Sequence, residues 1–412
     1  MTAITLASTD RRAGTLKELQ PLRDLCDAGH LFEVQDWIRS GKPVNLPLPT
    51  RKGKQPRSPL QIAVHRGFYS LVQVLLEGGA LQEPDDHNAP MAIALESRRF
   101  DMVGLLMDHG FDPMSIDRDR VLRSWSADSV NLFIERGLDV VSGDALAAAL
   151  CDRIRTLVNV VKYWIPTRPE FAEQANIALR NFCFENSARW AGLLLWAGAD
   201  PLARGTCIPG EAPDESEHGG EGLSAVEWAA TNKSYEVLKM KRIRDLFQGE
   251  VARDHLGYLC RGEGLKLLER LLASGLDPND PKTGGSPAFA QCLAEFEGWC
   301  WNGYWSLSQR SFYADPREKR QADCTETREI MKAIHLLAIH GAKWKPADKK
   351  EIRIARKSLR GLKPEYTVEF VWIMKKYSGC SKVDVTELLR TPAMRAHLEG
   401  QEGVMNGILA GW

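Results

Sequence analysis

The sequence lacks any uninterrupted apolar run near the roughly 18 residues that a membrane helix requires, and its opening MTAITLASTDRRAGTL holds no apolar stretch of signal-peptide length. The expectation is a soluble, cytoplasmic chain. An excess of one charge is also missing: 54 basic side chains face 54 acidic ones, so no whole-chain field points to nucleic acid or to a membrane surface. Cysteine is sparse and scattered, with nine residues at 26, 151, 183, 207, 260, 292, 300, 324 and 380 and no CxxC pair. That count is odd and its spacing is not ligand-like, which fits a reducing compartment and speaks against a zinc site.

The motifs of catalysis are missing too. There is no GxxxxGK[ST] phosphate loop, GxSxG elbow or HExxH pair. RGEGLKLL around residue 262 supplies only two glycines in register for a dinucleotide fingerprint. His335 and His340 stand five apart, off the i, i+4 spacing that lets one helix present two metal ligands. No catalytic, cofactor-binding or metal-ligating residue is assigned, and a non-catalytic protein is expected.

What is present is a globular composition, 44% apolar and 26% charged, and a repeated phrase. An apolar pair, a few variable residues and a glycine recur as WIRSG to Gly41, LLEGG to Gly79, LLMDHG to Gly110, LFIERG to Gly137, LLLWAG to Gly198, LLASG to Gly275 and LLAIHG to Gly341. The residues that follow are KPVN, ALQE, FDPM, LDVV, ADPL, LDPN and AKWK. This is the pattern of a helix closed by a left-handed residue before a turn. Upstream lie SPLQIAVHRGFYSLVQVLL from Ser58, APMAIALESRRFDMVGLLM from Ala89 and the shorter GLSAVEWAATNKSYEVL from Gly222. Each reads as a short apolar helix, a polar turn and a second amphipathic helix, a unit of about 33 residues.

On these residues the chain resembles the ankyrin-repeat family. That family's Thr-Pro-Leu-His-x-Ala-Ala opening, internal glycine and Leu-Leu-x-x-Gly-Ala close are matched in part by Ser58, Pro59, Leu60, Ala63, Gly67, Leu75, Leu76, Gly79 and Ala80. The histidine is replaced by Gln61 and Ala92, and the Ala-Ala pair is intact only at 229 and 230. DALAAALCDRIRTLVNVVKYWI, 144 to 165, keeps the two-helix pattern but runs into Pro166 without a closing glycine. The resemblance spans roughly 20 to 345 and is strongest over 58 to 113. It implies an all-α, ankyrin-like helical repeat solenoid with a helical C-terminal cap. The organisation read from the chain is an N-terminal segment 1–20, an array 21–345 with insertions at 205–221 and 298–324, and a capping region 346–412.

The first insertion contains PGEAPDESEHGGE, five carboxylates among glycines and prolines: a solvated loop, or an acidic lure for a basic partner. The second separates the helix from Ser286 from the helix of TETREIMKAIHLLAIHG, and with the preceding helix end it carries Trp299, Trp301, Tyr304, Trp305, Phe312 and Tyr313. Their spacing suits neither a helix nor a strand. A self-packed mini-core, a partner-binding patch and a base-stacking surface are the readings it leaves open. Residues 343 to 363 hold nine Lys or Arg against two acids. Lys349, Arg353, Arg356 and Arg360 fall on one helical face, Ile352, Ala355, Leu359 and Leu362 on another.

By the resemblance, the function expected is that of a scaffold or adaptor holding another protein through a solenoid surface, without a cofactor. First contacts would lie at the turns around Asp85 to Asn88, Asp112 to Ser115 and Asp200 to Arg204. A nucleic-acid-associated subunit using the basic C-terminal helix is the alternative.

Overall fold

A computed structural model describes residues 11–48, 56–82, 90–212, 222–295, 325–345, 355–356, 359 and 364–379, without the side chains of 326, 364 and 365. Among these residues the regular structure is helical, with two isolated bridges, Arg12 to Asn45 and Gly205 to Leu223. The chain divides into two bodies, Met1–Ala178 with Trp196–Ala199, and Leu179–Leu195 with Asp200–Trp412.

The first body is a succession of helix pairs: α1 (Leu16–Ala28) with α2 (Leu31–Arg39), α3 (Pro59–Arg66) with α4 (Tyr69–Glu77), α5 (Pro90–Glu96) with α6 (Phe100–Asp108), α7 (Arg118–Leu122) with α8 (Ala127–Glu135), and α9 (Ala145–Cys151) with α10 (Thr156–Trp164). Most have seven to nine residues, too short to persist alone in water. Stacking supplies the stability: α1 packs on α3 and α3 on α5, while α2 packs on α4, α4 on α6, α6 on α8 and α8 on α10. The second helices meet through Val72, Leu75, Val103, Leu106, Val130 and Phe133, all buried.

The closing glycines of the repeated phrase all take positive φ: Gly41, Gly79, Gly110, Gly137, Gly198, Gly275 and Gly341. In the second pair Gly79 N–H donates to the Leu76 carbonyl and Ala80 N–H to that of Leu75, both at 3.0 Å, so two orphan carbonyls of α4 are satisfied before the chain turns. The same two bonds recur after Gly110, Gly137, Gly275 and Gly341. The turn inside a pair uses the same left-handed stop at Gly29 and Gly67, Arg98, Arg153, Asn186 and Lys233 occupy it elsewhere, and the turn between α7 and α8 has none.

Successive turns are joined by side chains. Asn45, 2% exposed, donates from Nδ2 to the Gly79 carbonyl at 2.9 Å and accepts from Leu81 N–H at 2.8 Å. Asn279 repeats this, donating to the Gly341 carbonyl at 2.9 Å and accepting from Lys343 N–H at 2.7 Å. Each asparagine stands four residues after its own closing glycine and reaches the next one, so Gly275 and Gly341 close neighbouring pairs. Asn45→Ala and Asn279→Ala leave a backbone donor and acceptor unsatisfied, and each is expected to cost about 1–3 kcal/mol, the more at buried Asn45. Urea unfolding curves check this; an unchanged midpoint for Asn45→Ala would show that the rung does not hold adjacent pairs.

The α11 helix (Pro169–Phe184) gives Phe171 and Gln174 to the first body and Arg180 and Phe182 to the second. The second body continues with α12 (Ala188–Ala197), whose last residues count with the first body, and α13 (Ala225–Thr231), α14 (Tyr235–Leu238), α15 (Lys241–Arg244), α16 (Gly249–His255) and α17 (Gly262–Ala273). Then come α18 (residues 287–295), α19 (Thr325–Ile339) and α20 (Pro364–Tyr377). As expected from sequence, α18 and α19 are the helices on either side of the second insertion. Past 345, α20 packs on α19, and Gly379 after it has φ 64°. The apolar pair Ile373-Met374 stands one residue further from that glycine than in the longest of the seven phrases, which is why the phrase goes unseen there.

Candidate interaction surfaces

At the turns, a repeated aspartate holds its own loop. Asp112 accepts from Met114 N–H at 2.8 Å, Asp200 from Leu202 N–H at 2.9 Å and Asp277 from Asn279 N–H at 2.9 Å. A carboxylate spent on the backbone two residues ahead forms an Asx turn. The side chains it pushes outward are Met114, 55% exposed, and Leu202, 45% exposed. Of the turns expected to contact a partner, 112–115 and 200–204 thus present an exposed apolar side chain beside an exposed aspartate that is tied to its own backbone. The turn 85–88 lies, with the rest of 83–89, outside the described residues.

Arg204 turns inward. Its Nε donates to the Gly222 carbonyl at 3.2 Å and its Nη1 to Glu227 Oε1 at 3.0 Å, which ties the two ends of the first insertion. The insertion's base is closed by Gly205 N–H donating to the Leu223 carbonyl. Gly222, at φ 69°, lies so close to Gly205 that a β-carbon would fall 2.4 Å from its carbonyl oxygen. Ser224 and Glu227 form a reciprocal capping box at the start of α13, as Ser58 and Gln61 do at α3.

Burial alone would raise the Glu227 carboxyl, but the side-chain and backbone hydrogen bonds from Ser224, with the Arg204 guanidinium, outweigh it and hold the group below its ordinary 4.5. A lowered folded-state value means that its stabilisation is complete above the unfolded value and is lost as pH falls through the folded one. The stability advantage of the native chain over Glu227→Gln is therefore expected to be constant near neutrality and to shrink below pH 4.5. Denaturation midpoints at several pH values check this; a pH-independent difference would refute it.

The inter-helix turns of the first body carry exposed aromatics. Phe32 is 75% and Trp125 72% exposed, and the Arg98 guanidinium lies 4.7 Å from the Trp125 ring centroid. Phe68 lies over Gly29 and Arg99 over Gly67, so each turn is roofed by the next. Ion pairs run alongside, Arg66 to Asp27 at 2.7 Å and Arg123 to Asp152 at 2.7 Å. The hydrogen bond from Arg66 lowers the Asp27 carboxyl. On the outer side Tyr163 and Trp196 are exposed, with the Lys162 ammonium 3.3 Å from the Trp196 ring centroid. Nothing in sequence marked these residues, because a lone aromatic at a helix start reads the same buried or exposed.

Of the residues singled out from sequence, Trp299, Trp301, Tyr304, Trp305, Phe312 and Tyr313 lie outside the described residues, as do Lys349, Arg353 and Arg360. Arg356 is described and half-buried beside buried Ala355. His335 packs against the rings of Trp372 and Tyr377, at 6.2 and 5.6 Å between centroids. Described cysteines are free thiols, and burial pushes Cys26 and Cys183 up to about 12, which leaves them as inert packing groups. No helix among the described residues is long and apolar enough to cross a membrane.

Residues 25–117 match the family model for ankyrin repeats, in three copies. They cover the first three helix pairs apart from the start of α1. Among solved structures the chain is similar to the crystal structure of the human ASB11 ankyrin repeat domain, with 17% identity over 56% of this chain and 98% of that one and a TM-score of 0.33. No curated protein matches the chain.

Proposed function

We propose, from the premise that residues 25–117 are ankyrin repeats, that this chain is a non-catalytic scaffold or adaptor that holds a partner protein. Ankyrin repeats are protein-interaction modules. The observation that carries the reading is that the stack buries most of its aliphatic residues while leaving Phe32 and Trp125 more than 70% exposed. Large aromatics held on short, packed turns bring contact area at little entropic cost, the character of interface anchors. Exposed Met114 and Leu202 at the turn tips add apolar contacts. On the same reading the 299–313 aromatic cluster and the basic positions 349, 353, 356 and 360 form a second contact region.

The test is recovery of stoichiometric partners from cytosol by the native chain and by a Phe32→Ser, Trp125→Ser variant with an unchanged melting curve. Loss of a partner in the variant is expected. Identical recovery, or no stoichiometric partner for either, would count against the reading.

A further inference from the structure

Between the first four turns, and between those after Gly275 and Gly341, a side chain forms a rung. Besides Asn45 and Asn279, Gln82 accepts from Asp112 N–H at 3.1 Å, and Arg118 donates to the Ser142 carbonyl at 2.9 Å. The fifth pair breaks the series. The α10 helix ends at Trp164, whose carbonyl accepts from Thr167 N–H at 3.0 Å, Arg168 N–H at 2.9 Å and Thr167 Oγ1 at 3.2 Å. The chain then enters α11 at Pro169. No glycine turn is built, and the tip that would lie beside residues 137–141 is absent.

A cavity of about 360 Å³ occupies that place, at the small end of the range for ligand sites, about 300–1,000 Å³. Leu138, Val140 and Phe171 give it apolar walls. Arg168 is its one cation. The guanidinium sits 4.3 Å from the Trp164 ring centroid and 6.0 Å from that of Phe171, and Trp164 is itself fixed by its Nε1 donating to Asn131 Oδ1 at 3.0 Å. Among the described residues no carboxylate forms an ion pair with Arg168. A planar cation already stacked and oriented is ready to accept a carboxylate. The carboxylate of Asp139 is spent on Val141 and Ser142 N–H, while Glu135 and Glu170 also line the cavity, so an anion is held there only by direct contact with the guanidinium, and further negative charge is repelled.

We infer that this cavity is a docking site for a partner's surface loop bearing a single aspartate in an apolar Asp-Pro turn, which takes the place of the turn this chain omits. One cation, apolar walls and lining acids select one carboxylate flanked by apolar residues. That is the chemistry of the chain's own turn tips, Phe111-Asp112-Pro113-Met114 and Ala199-Asp200-Pro201-Leu202. The inference rests on the interaction reading above and deepens it.

The probe is the end-blocked peptide AGADPLA, residues 197–203, titrated calorimetrically into the full chain. Saturable binding is expected, weakened about tenfold or more by Arg168→Glu and equally by replacing the peptide's aspartate with asparagine. Arg168→Gln, with its melting curve recorded, guards against misfolding and should weaken binding similarly. Absence of saturable binding to the native chain, or equal binding by a folded Arg168 variant, overturns the inference. So does self-association that Arg168→Glu abolishes, since the occupant is then a second copy. The Phe32→Ser, Trp125→Ser variant should bind the peptide normally, so this inference and the broader reading can fail separately.

Discussion

Arg180→Ala is expected to destabilise the second body by about 3–5 kcal/mol. Arg180 is 1% exposed, and its guanidinium is used as a clamp. Nε donates to the Thr206 carbonyl at 2.6 Å, and Nη1 to those of Ala203 and Arg204 at 3.1 and 3.4 Å. Truncation strands three partly buried carbonyls and opens a cavity against Gly205, where a β-carbon would already stand 2.7 Å from Arg180 Nη2. Arg180→Lys should recover only part of the loss, because an ammonium cannot reach carbonyls on both sides of a planar fork. Chemical denaturation is the measurement, together with proteolysis at 206–221. An alanine variant with native stability and native resistance to cleavage there would show that the insertion's base holds without the clamp.

The second large effect is expected at Glu295, the last described residue before the aromatic insertion. Its Oε2 receives Lys233 Nζ at 2.5 Å and Arg261 Nη2 at 2.7 Å. The three side chains are 14–26% exposed and come from three successive parts of the stack. Removing the carboxylate leaves two cations side by side with little water, and Glu295→Ala should cost about 3–5 kcal/mol, the range for breaking a buried pair. Lys233→Met should cost clearly less, since the Arg261 to Glu295 pair survives it. If the two substitutions had equal, small effects, the cluster would be a surface ion pair of ordinary weight.

The repeat was legible because its signals are local. A glycine three or four residues past an apolar pair closes a helix whatever surrounds it, and all seven such glycines take the left-handed conformation. The helices flanking the second insertion were readable for the same reason. The inner turns were not, beyond Gly67. Arg98, Arg153, Asn186 and Lys233 adopt the same conformation against their own preference, at roughly 1–2 kcal/mol for a residue other than glycine or asparagine, because packing on both sides fixes the turn.

The interaction surfaces divide along the same line. The tips could be placed by their Asp-Pro signature, but that their aspartates accept from the backbone two residues ahead while Met114 and Leu202 stand exposed depends on the turn geometry. Trp125 and Phe32 carry no sequence mark of exposure, nor Arg180 of burial. Sequence alone determined the repeated helices, their closing glycines and the missing glycine after Trp164, since each depends on residues within about one helical turn of one another. Tertiary structure alone decided that Arg180 clamps carbonyls 23 to 26 positions away, that Glu295 gathers cations 34 and 62 positions away, and that the missing turn leaves a cavity beneath Arg168. Contacts at such separations are set by how neighbouring pairs stack, which no local pattern encodes.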